Sequence, residues 1–295
     1  MFAIRRMEEA DIEVCADIMF RAFNDMARRY GHRREFSSES VAEPFVRHHL
    51  CLDPSTAFVA TMENRISGFA FLRTRGEGAS IGPVAVAPEF QSKGIGRELV
   101  ATCVNAARSE GASSIRLLQT EWNLHSYKLY SNCGFVPVTP VTRLLVDTGS
   151  PPLRFARSSF RLARVEDLPN IVAMEERLTG VRRDKDLAML ARLGKLIVAP
   201  DYRGFVGLCP FARGGMVGPG VADSEELLRE LLHSALSAFG PDQRVQVFLP
   251  IQHERIIREM QDNGASVLNQ MRYMVRGVAP ILSYAHCCSL LPESH

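Results

Sequence analysis

The sequence predicts an α+β fold, an α/β sandwich built twice in tandem, each copy a mixed, mainly antiparallel central sheet flanked by helices. Three observations predict it. Strand-like runs alternate with amphipathic helical stretches along the chain. The opening Ile4-Arg5-Arg6-Met7-Glu8-Glu9-Ala10-Asp11 returns about half the chain later as Phe160-Arg161-Leu162-Ala163-Arg164-Val165-Glu166-Asp167. At 295 residues the chain also exceeds the usual size of one domain.

Each opening reads as a short strand running into a helix. Asp11 is placed as an N-cap, and Ile12, Cys15, Ile18, Met19 and Ala22 then fall at helical spacing. Leu168, Ile171, Val172 and Met174 follow the second opening in the same way. Residues 58–60 and 66–72 read as antiparallel strands joined by a turn at Glu63-Asn64-Arg65. A further strand covers 79–87, and a helix over 96–107 carries Leu99, Val100, Cys103, Val104 and Ala107 on one stripe. Residues 115–119 form a buried strand, 126–132 a short helix and 135–145 a final strand region. The turn formers Asp147-Thr148-Gly149-Ser150-Pro151-Pro152 mark a boundary. The expected organisation is a first domain over 1–148, a linker over 149–157, a second domain over 158–282 and a tail over 283–295.

Composition excludes several classes of function. A formal charge of +2 gives no footprint for nucleic acid. Arg28-Arg29 and Arg182-Arg183 read as solvated surface or as a phosphate site. No stretch has the roughly eighteen uninterrupted apolar residues of a membrane span, and the apolar run over 2–4 is too short for a signal peptide. The seven cysteines are scattered without CxxC spacing, and the adjacent His48 and His49 point to different sides of a helix, so no metal is expected. The expectation is a cytoplasmic protein with reduced thiols, a monomer or homodimer, with no membrane partner. Cys287-Cys288 reads as two free thiols in the tail or as a redox pair.

The most informative stretch is Val84-Ala85-Val86-Ala87-Pro88-Glu89-Phe90-Gln91-Ser92-Lys93-Gly94-Ile95-Gly96-Arg97. A strand ends, Pro88 turns the chain, and a Gly-rich loop opens a helix. Free N–H groups and the positive end of the helix dipole make an anion site there. Gly94 and Gly96 let backbone approach a phosphate, and Lys93 and Arg97 add charge at the rim. No G-K-[ST] follows, which excludes a P-loop, and Leu99 stands where a dinucleotide fingerprint needs its third glycine.

Gln91-Ser92-Lys93-Gly94-Ile95-Gly96 resembles the Q/R-x-x-G-x-G/A pyrophosphate signature of GNAT N-acetyltransferases at every position. Asn123-Leu124-His125-Ser126-Tyr127-Lys128-Leu129-Tyr130-Ser131-Asn132-Cys133-Gly134-Phe135 is similar to that superfamily's N-x-x-[AS]-x-x-L-Y-x-x-x-G-F element. The resemblance covers about residues 3–146. It implies that acetyl-CoA is the co-substrate, held by the backbone amides of 91–97, with Val84, Ala85 and Val86 pairing along its pantetheine arm. It further implies contacts from Asn123 and Ser126, and a proton from Tyr130 to the departing thiolate. A backbone N–H near Val86 would polarise the thioester carbonyl.

Many GNAT proteins carry a Glu on the strand before the loop, where this chain reads Ser80-Ile81-Gly82-Pro83-Val84. The base is then Glu121, otherwise a solvated rim charge, or a water chain. Trp122 lines the pocket or packs in the core. The acceptor end falls in 20–45, where Tyr30, His32, Arg33, Arg34, Glu35 and Phe36 either grip an amine that also bears an anion or form an exposed loop. The second half retains Gly218-Pro219-Gly220 but no Q-x-x-G-x-G, and Glu225-Glu226 at its helix start would repel a pyrophosphate. It resembles the degenerate second domain of two-domain GNAT proteins, expected to bind no CoA. Thr179-Gly180-Val181-Arg182-Arg183-Asp184 reads as a link between helices or a loop reaching the cleft. The expected function is transfer of an acetyl group from acetyl-CoA to a primary amine, of a small molecule, by direct attack in a ternary complex. A protein lysine or N-terminal acetyltransferase and a non-catalytic acyl-CoA sensor are the alternatives.

Overall fold

A computed structural model describes residues 2–149, 160–211, 214–279 and 284–288. The chain divides into two compact units, Met1–Val136 with Val275–Val278, and Pro137–Met274 with Ala279–His295.

The first unit runs β1 (Phe2–Arg6), α1 (Ile12–Arg29), α2 (Glu39–Leu52), β2 (Ala57–Met62), β3 (Arg65–Arg75), β4 (Gly78–Val86), α3 (Ile95–Ser109), β5 (Ser114–Thr120) and α4 (Leu124–Asn132). The strands lie in chain order, β1 to β4 antiparallel. β5 joins β4 in parallel, but only at Gly78, Ala79 and Ser80, opposite Ser114, Ile115 and Arg116. The turn between β2 and β3 places Glu63 at φ 53° and Asn64 at φ 57°, the paired left-handed geometry of a tight hairpin. Strand alternation sorts β3 between two layers. Phe71 stacks on His49 of α2 at 4.8 Å. A Cβ on Gly68 would stand 3.3 Å from Leu99 of α3. α1 buries Ile12, Cys15, Ala16, Ile18, Met19 and Ala22, the stripe expected from its spacing.

The second unit runs β6 (Val136–Asp147), β7 (Arg161–Leu162), α5 (Leu168–Thr179), α6 (Asp184–Arg192), β8 (Leu196–Val198), β9 (Gly204–Phe211), β10 (Gly214–Ala222), α7 (Glu225–Ser237), β11 (Arg244–Pro250), α8 (Glu254–Asp262), β12 (Ser266–Gly277) and β13 (Ala285–Cys287). Its strands follow the order β12-β6-β11-β10-β9-β8-β7, and β13 pairs with β10. Leu144 and Val146 join Val245, Val247 and Leu249 in its core.

The repeat read from the two openings is built with the same side-chain bonds. Arg5 donates to both oxygens of Asp11 at 2.7 and 2.8 Å. Arg161 donates to both oxygens of Asp167 at 2.6 and 2.8 Å. Each Asp also accepts the backbone N–H three residues earlier, from Glu8 at 2.8 Å and Arg164 at 2.7 Å. Asp11 sits at the N-cap position of α1, yet its side chain makes no cap bond there, because it turns back to Arg5 and Glu8.

Two segments lie elsewhere than the linear sequence suggests. From Pro137 onward, the strand expected to close the first half belongs to the second unit, where Val141 to Asp147 pair antiparallel with Pro250 to Arg244. The division therefore falls ahead of the linker expected over 149–157, of which 150–157 lie outside the described residues. The end of β12 takes a place in the first unit, where Val278 N–H donates to Ser113 O at 3.0 Å and the Arg276 guanidinium to Cys133 O at 2.6 Å. The expected tail over 283–295 contains a strand. Ala285, His286 and Cys287 pair with Ala222, Val221 and Gly220, and both Cys287 and Cys288 are buried.

Candidate functional site

The loop opening α3 has the geometry its sequence predicts. Phe90 packs in the core and ends a single 3₁₀ turn that starts at Pro88. The chain then reaches α3 through Ser92 at φ 64° and Gly94 at φ 85°. Both lie in the left-handed region, which glycine tolerates without strain. The first helical bond runs from Glu98 N–H to Gly94 O at 3.1 Å. The N–H groups of Ile95, Gly96 and Arg97 precede it and have no intrahelical acceptor. Ser92, Lys93, Gly94 and Arg97 are exposed and Ile95 is buried, so the loop is anchored by Ile95 and presents its charges outward.

Gln91 has a further role that the motif alone does not disclose. Its Nε2 donates to Val86 O at 3.1 Å, tying the loop to the end of β4. Lys93 Nζ stands 5.0 Å from the Phe90 ring centre, a cation–π contact that leaves its charge at the rim. A Cβ on Gly96 would lie 3.4 Å from Leu129 of α4 and 3.6 Å from Val86, both ordinary contact distances, so α3 closely approaches α4 and β4 at this position.

Beside the loop the sheet opens. β4 and β5 stop pairing after Ser80, and among the described residues no strand pairs with Ile81–Val86 on the side away from β3. The separation starts where the β3–β4 register shifts between the Leu72–Ile81 and Ala70–Val84 pairs, at Gly82-Pro83. The backbone of Val84, Ala85 and Val86 therefore has one edge available to an extended ligand.

α4 starts at this opening. Asn123 caps it, its Oδ1 accepting from Ser126 N–H at 3.1 Å, and Ser126 Oγ donates to Asn123 O at 3.0 Å. Gln119 of β5 fixes the turn by donating to Asn123 O at 2.8 Å and Ser126 Oγ at 3.1 Å. Asn123 and Ser126 thus shape the helix start. Tyr130 is half-buried one helical stretch further, its ring 6.1 Å from that of buried Phe135. Desolvation, with Cys133 and Cys103 nearby, raises its phenol pKa, so the proton is retained at neutral pH.

Glu121 is exposed just past β5. Trp122 is half-buried, with His32 stacked on it at 4.5 Å and Tyr30 at 5.5 Å, so it joins an aromatic cluster at the end of α1. Its indole Nε1 is buried and has no hydrogen-bond partner. Phe36, 5.8 Å from Phe23 and 5.7 Å from Phe45, anchors the segment between α1 and α2. Arg33 and Arg34 are exposed. Sequence reasoning missed Gln119 and the polar row on β3, β4 and β5 that includes Arg116. The signal for the latter is a charged residue inside the apolar strand Ile115-Arg116-Leu117.

Among the described residues the second unit has no Gly-rich loop like that opening α3. β10 and β11 pair in parallel only over Gly215–Val217, and Gly82-Pro83 and Gly218-Pro219 are both cis. Past the shift, β13 covers β10 at Gly220–Ala222, and Cys288 bridges to Phe248 of β11. A Cβ on Gly220 would meet Cys287 Sγ at 2.7 Å, so the strand packs without space between. Ser224 caps α7, and Glu225 and Glu226 fill its first turn. The segment Thr179-Asp184 joins α5 to α6, and Arg183 within it is fully buried, its Nε donating to Glu175 at 2.6 Å.

Among the described residues no group of three or more His, Cys, Asp or Glu side chains could hold a metal ion, and no helix is long and apolar enough to cross a membrane.

Residues 19–135 match the model of the Acetyltransferase (GNAT) family. An uncharacterised N-acetyltransferase of Bacillus subtilis (strain 168), YvbK, is 29% identical over 85 residues, 28% of this chain and 55% of that protein, so the chain spans about half that relative's length. A candidate acetyltransferase from Pyrococcus horikoshii has a crystal structure that superposes with a TM-score of 0.75 at 21% identity, covering 94% of this chain and 90% of that one. The tandem GNAT protein from the clavulanic acid biosynthesis pathway gives 0.60 at 14% identity, covering 95% and 100%. At these identities the two structures establish the shared fold.

Proposed function

We propose that the protein, whose residues 19–135 match the GNAT acetyltransferase model, transfers an acetyl group from acetyl-CoA to a primary amine of a small molecule; the sequence has no long charged groove of the kind that would favour a protein acceptor. The observation that carries this reading is the Gln91–Gly96 loop, whose free amides open α3 beside the unpaired edge of β4. The residues fit the co-substrate. The amides of 95–97 would hold a pyrophosphate, and Val84–Val86 would pair with the two amide groups of a pantetheine arm.

In the chemistry the neutral amine nitrogen attacks the thioester carbonyl carbon. The C–N bond forms, the C–S bond breaks, and the sulfur takes a proton from Tyr130. The amine's surplus proton leaves to Glu121 directly or through water. Holding both reactants in one cleft supplies much of the rate. Release of free thiol from acetyl-CoA on adding an amine tests the reading; no release with any amine, despite tight binding, favours an acyl-CoA sensor. That alternative is supported by the lack of a carboxylate on β4, and opposed by the retained Tyr130. The site of action proposed is the cytoplasm.

A further inference from the structure

The sheet face beneath α2 carries a charge that acetyl transfer does not use. Arg116 stands in the middle of β5 and is 5% exposed. Its Nε donates to Ser114 Oγ at 3.1 Å. Its Nη1 is buried without a hydrogen-bond partner, and no ion pair is made by Arg116 among the described residues.

The register sets Arg116 in a polar row. Arg73 on β3 lies opposite Ser80 on β4, and Ser80 lies opposite Arg116. In the adjoining row of the same face, Arg75 lies opposite Gly78 and Gly78 opposite Ser114. Arg73 donates to the backbone O of His49 and to Thr56 Oγ1 at 3.3 Å, which identifies the face as the one under α2. Arg75 donates to Ser80 Oγ at 2.9 Å. Ser80 and Ser114 are 1% and 5% exposed. His49 adds no opposite charge: burial first, then Arg73, His48 and Arg75, hold its pKa well below the ordinary value.

A guanidinium taken out of water without a counter-charge is strongly unfavourable, and buried arginines are accordingly paired. We infer that Arg116, with the hydroxyls of Ser80 and Ser114 beside it, binds an anionic group of the acceptor, a carboxylate or a phosphate. The acceptor class is then a primary amine that carries an anion. This inference rests on the acetyltransferase reading. The anion belongs to the acceptor and not to CoA, because Arg116 faces α2 while α3, which carries the pyrophosphate cradle, packs on the opposite face at Gly68. Ser80 and Val86, whose N–H would polarise the thioester carbonyl, are six residues apart on β4, so amine and anion are separated by at most about 20 Å along the strand.

The test compares wild type, Arg116→Met and Arg116→Lys in two measurements. In the first, ω-amino carboxylates and ω-aminoalkyl phosphates of rising chain length are offered with acetyl-CoA, each beside the alkylamine without its anion. The carboxylate and phosphate arms separate the two sources of the anion. Anionic amines are expected to exceed their neutral counterparts at least tenfold in kcat/KM. Arg116→Met is expected to raise the acceptor KM about tenfold to hundredfold, with the Kd of acetyl-CoA unchanged and partial recovery in Arg116→Lys. In the second, melting temperature is followed against acetate and inorganic phosphate with CoA saturating, so that the cradle is filled. Anion is expected to stabilise wild type and not Arg116→Met. Equal use of neutral and anionic amines, or an anion response that is absent or identical in both proteins, overturns the inference. Loss of acetyl-CoA binding by the wild type would instead overturn the acetyltransferase reading.

Discussion

A carboxylate placed at Gly94 separates the role of the α3 loop in binding from its role in folding, provided it is compared with the same change at Gly111. The two glycines stand at opposite ends of α3, at φ 85° and 88°, and a Cβ on either meets no atom within 4 Å. Gly94→Glu and Gly111→Glu therefore share a backbone cost of about 1–2 kcal/mol. The helix dipole offsets it by about 0.3–1 kcal/mol at the N-terminus and adds a similar amount at the C-terminus. Gly111→Glu is thus the less stable variant. Binding follows the opposite order: a carboxylate about 5 Å from a pyrophosphate charge, at an effective dielectric of about 20, costs about 3 kcal/mol, or roughly hundredfold in Kd. Calorimetric melting gives the stabilities, and isothermal titration with acetyl-CoA gives the affinities. Equal affinity in both variants, or a larger loss in Gly111→Glu, refutes the cradle.

Tyr130→Phe removes the phenol proton while keeping the ring against Phe135, and kcat is expected to fall by about 10²–10⁴-fold with the Kd of acetyl-CoA preserved; unchanged turnover excludes the acid role. Asp11→Ala and Asp167→Ala each remove two guanidinium bonds and one backbone bond, Asp167→Ala also the bond from the Tyr202 hydroxyl at 2.9 Å, and denaturant unfolding is expected to show a loss of about 2 kcal/mol for Asp11→Ala and a larger one for Asp167→Ala. Bonding to Arg5 and Arg161 first of all lowers both carboxyl pKa values, so this stability is complete above the ordinary carboxylate range and is lost progressively as pH falls from that range through the lower folded values. His233 and His253 are held at about 4 by burial, and His253 Nε2 accepts from His286 N–H at 3.2 Å, which requires the neutral ring. The unfolded chain binds those protons first, so stability is expected to fall between pH 6.5 and 4 by about 1.4 kcal/mol per histidine per pH unit; a flat melting temperature across that window contradicts it.

Much of the first unit was legible because its signals are local. The loop over 91–97 and the α4 start at Asn123 are set by residues adjacent in sequence, and the helical stripe of α1 is a matter of spacing. Pairing partners are not local. The strand from Pro137 has the same alternation whether it completes the first sheet or joins β11, and its seven-residue register with Arg244 to Pro250 decides the matter. β13 is not legible as a strand because three residues, Ala285-His286-Cys287, are too short to show a period. Arg116 and Ser80 are 36 positions apart in the chain, and only the parallel register of β4 and β5 brings them into one row.

Titrating the full chain with acetyl-CoA and reading the stoichiometry shows whether the site belongs to the first unit. One site per chain is predicted, since the first unit carries the cradle and β13 covers the corresponding edge of β10. No binding contradicts the acetyltransferase reading, and two equivalents per chain contradict the assignment of the site to the first unit alone.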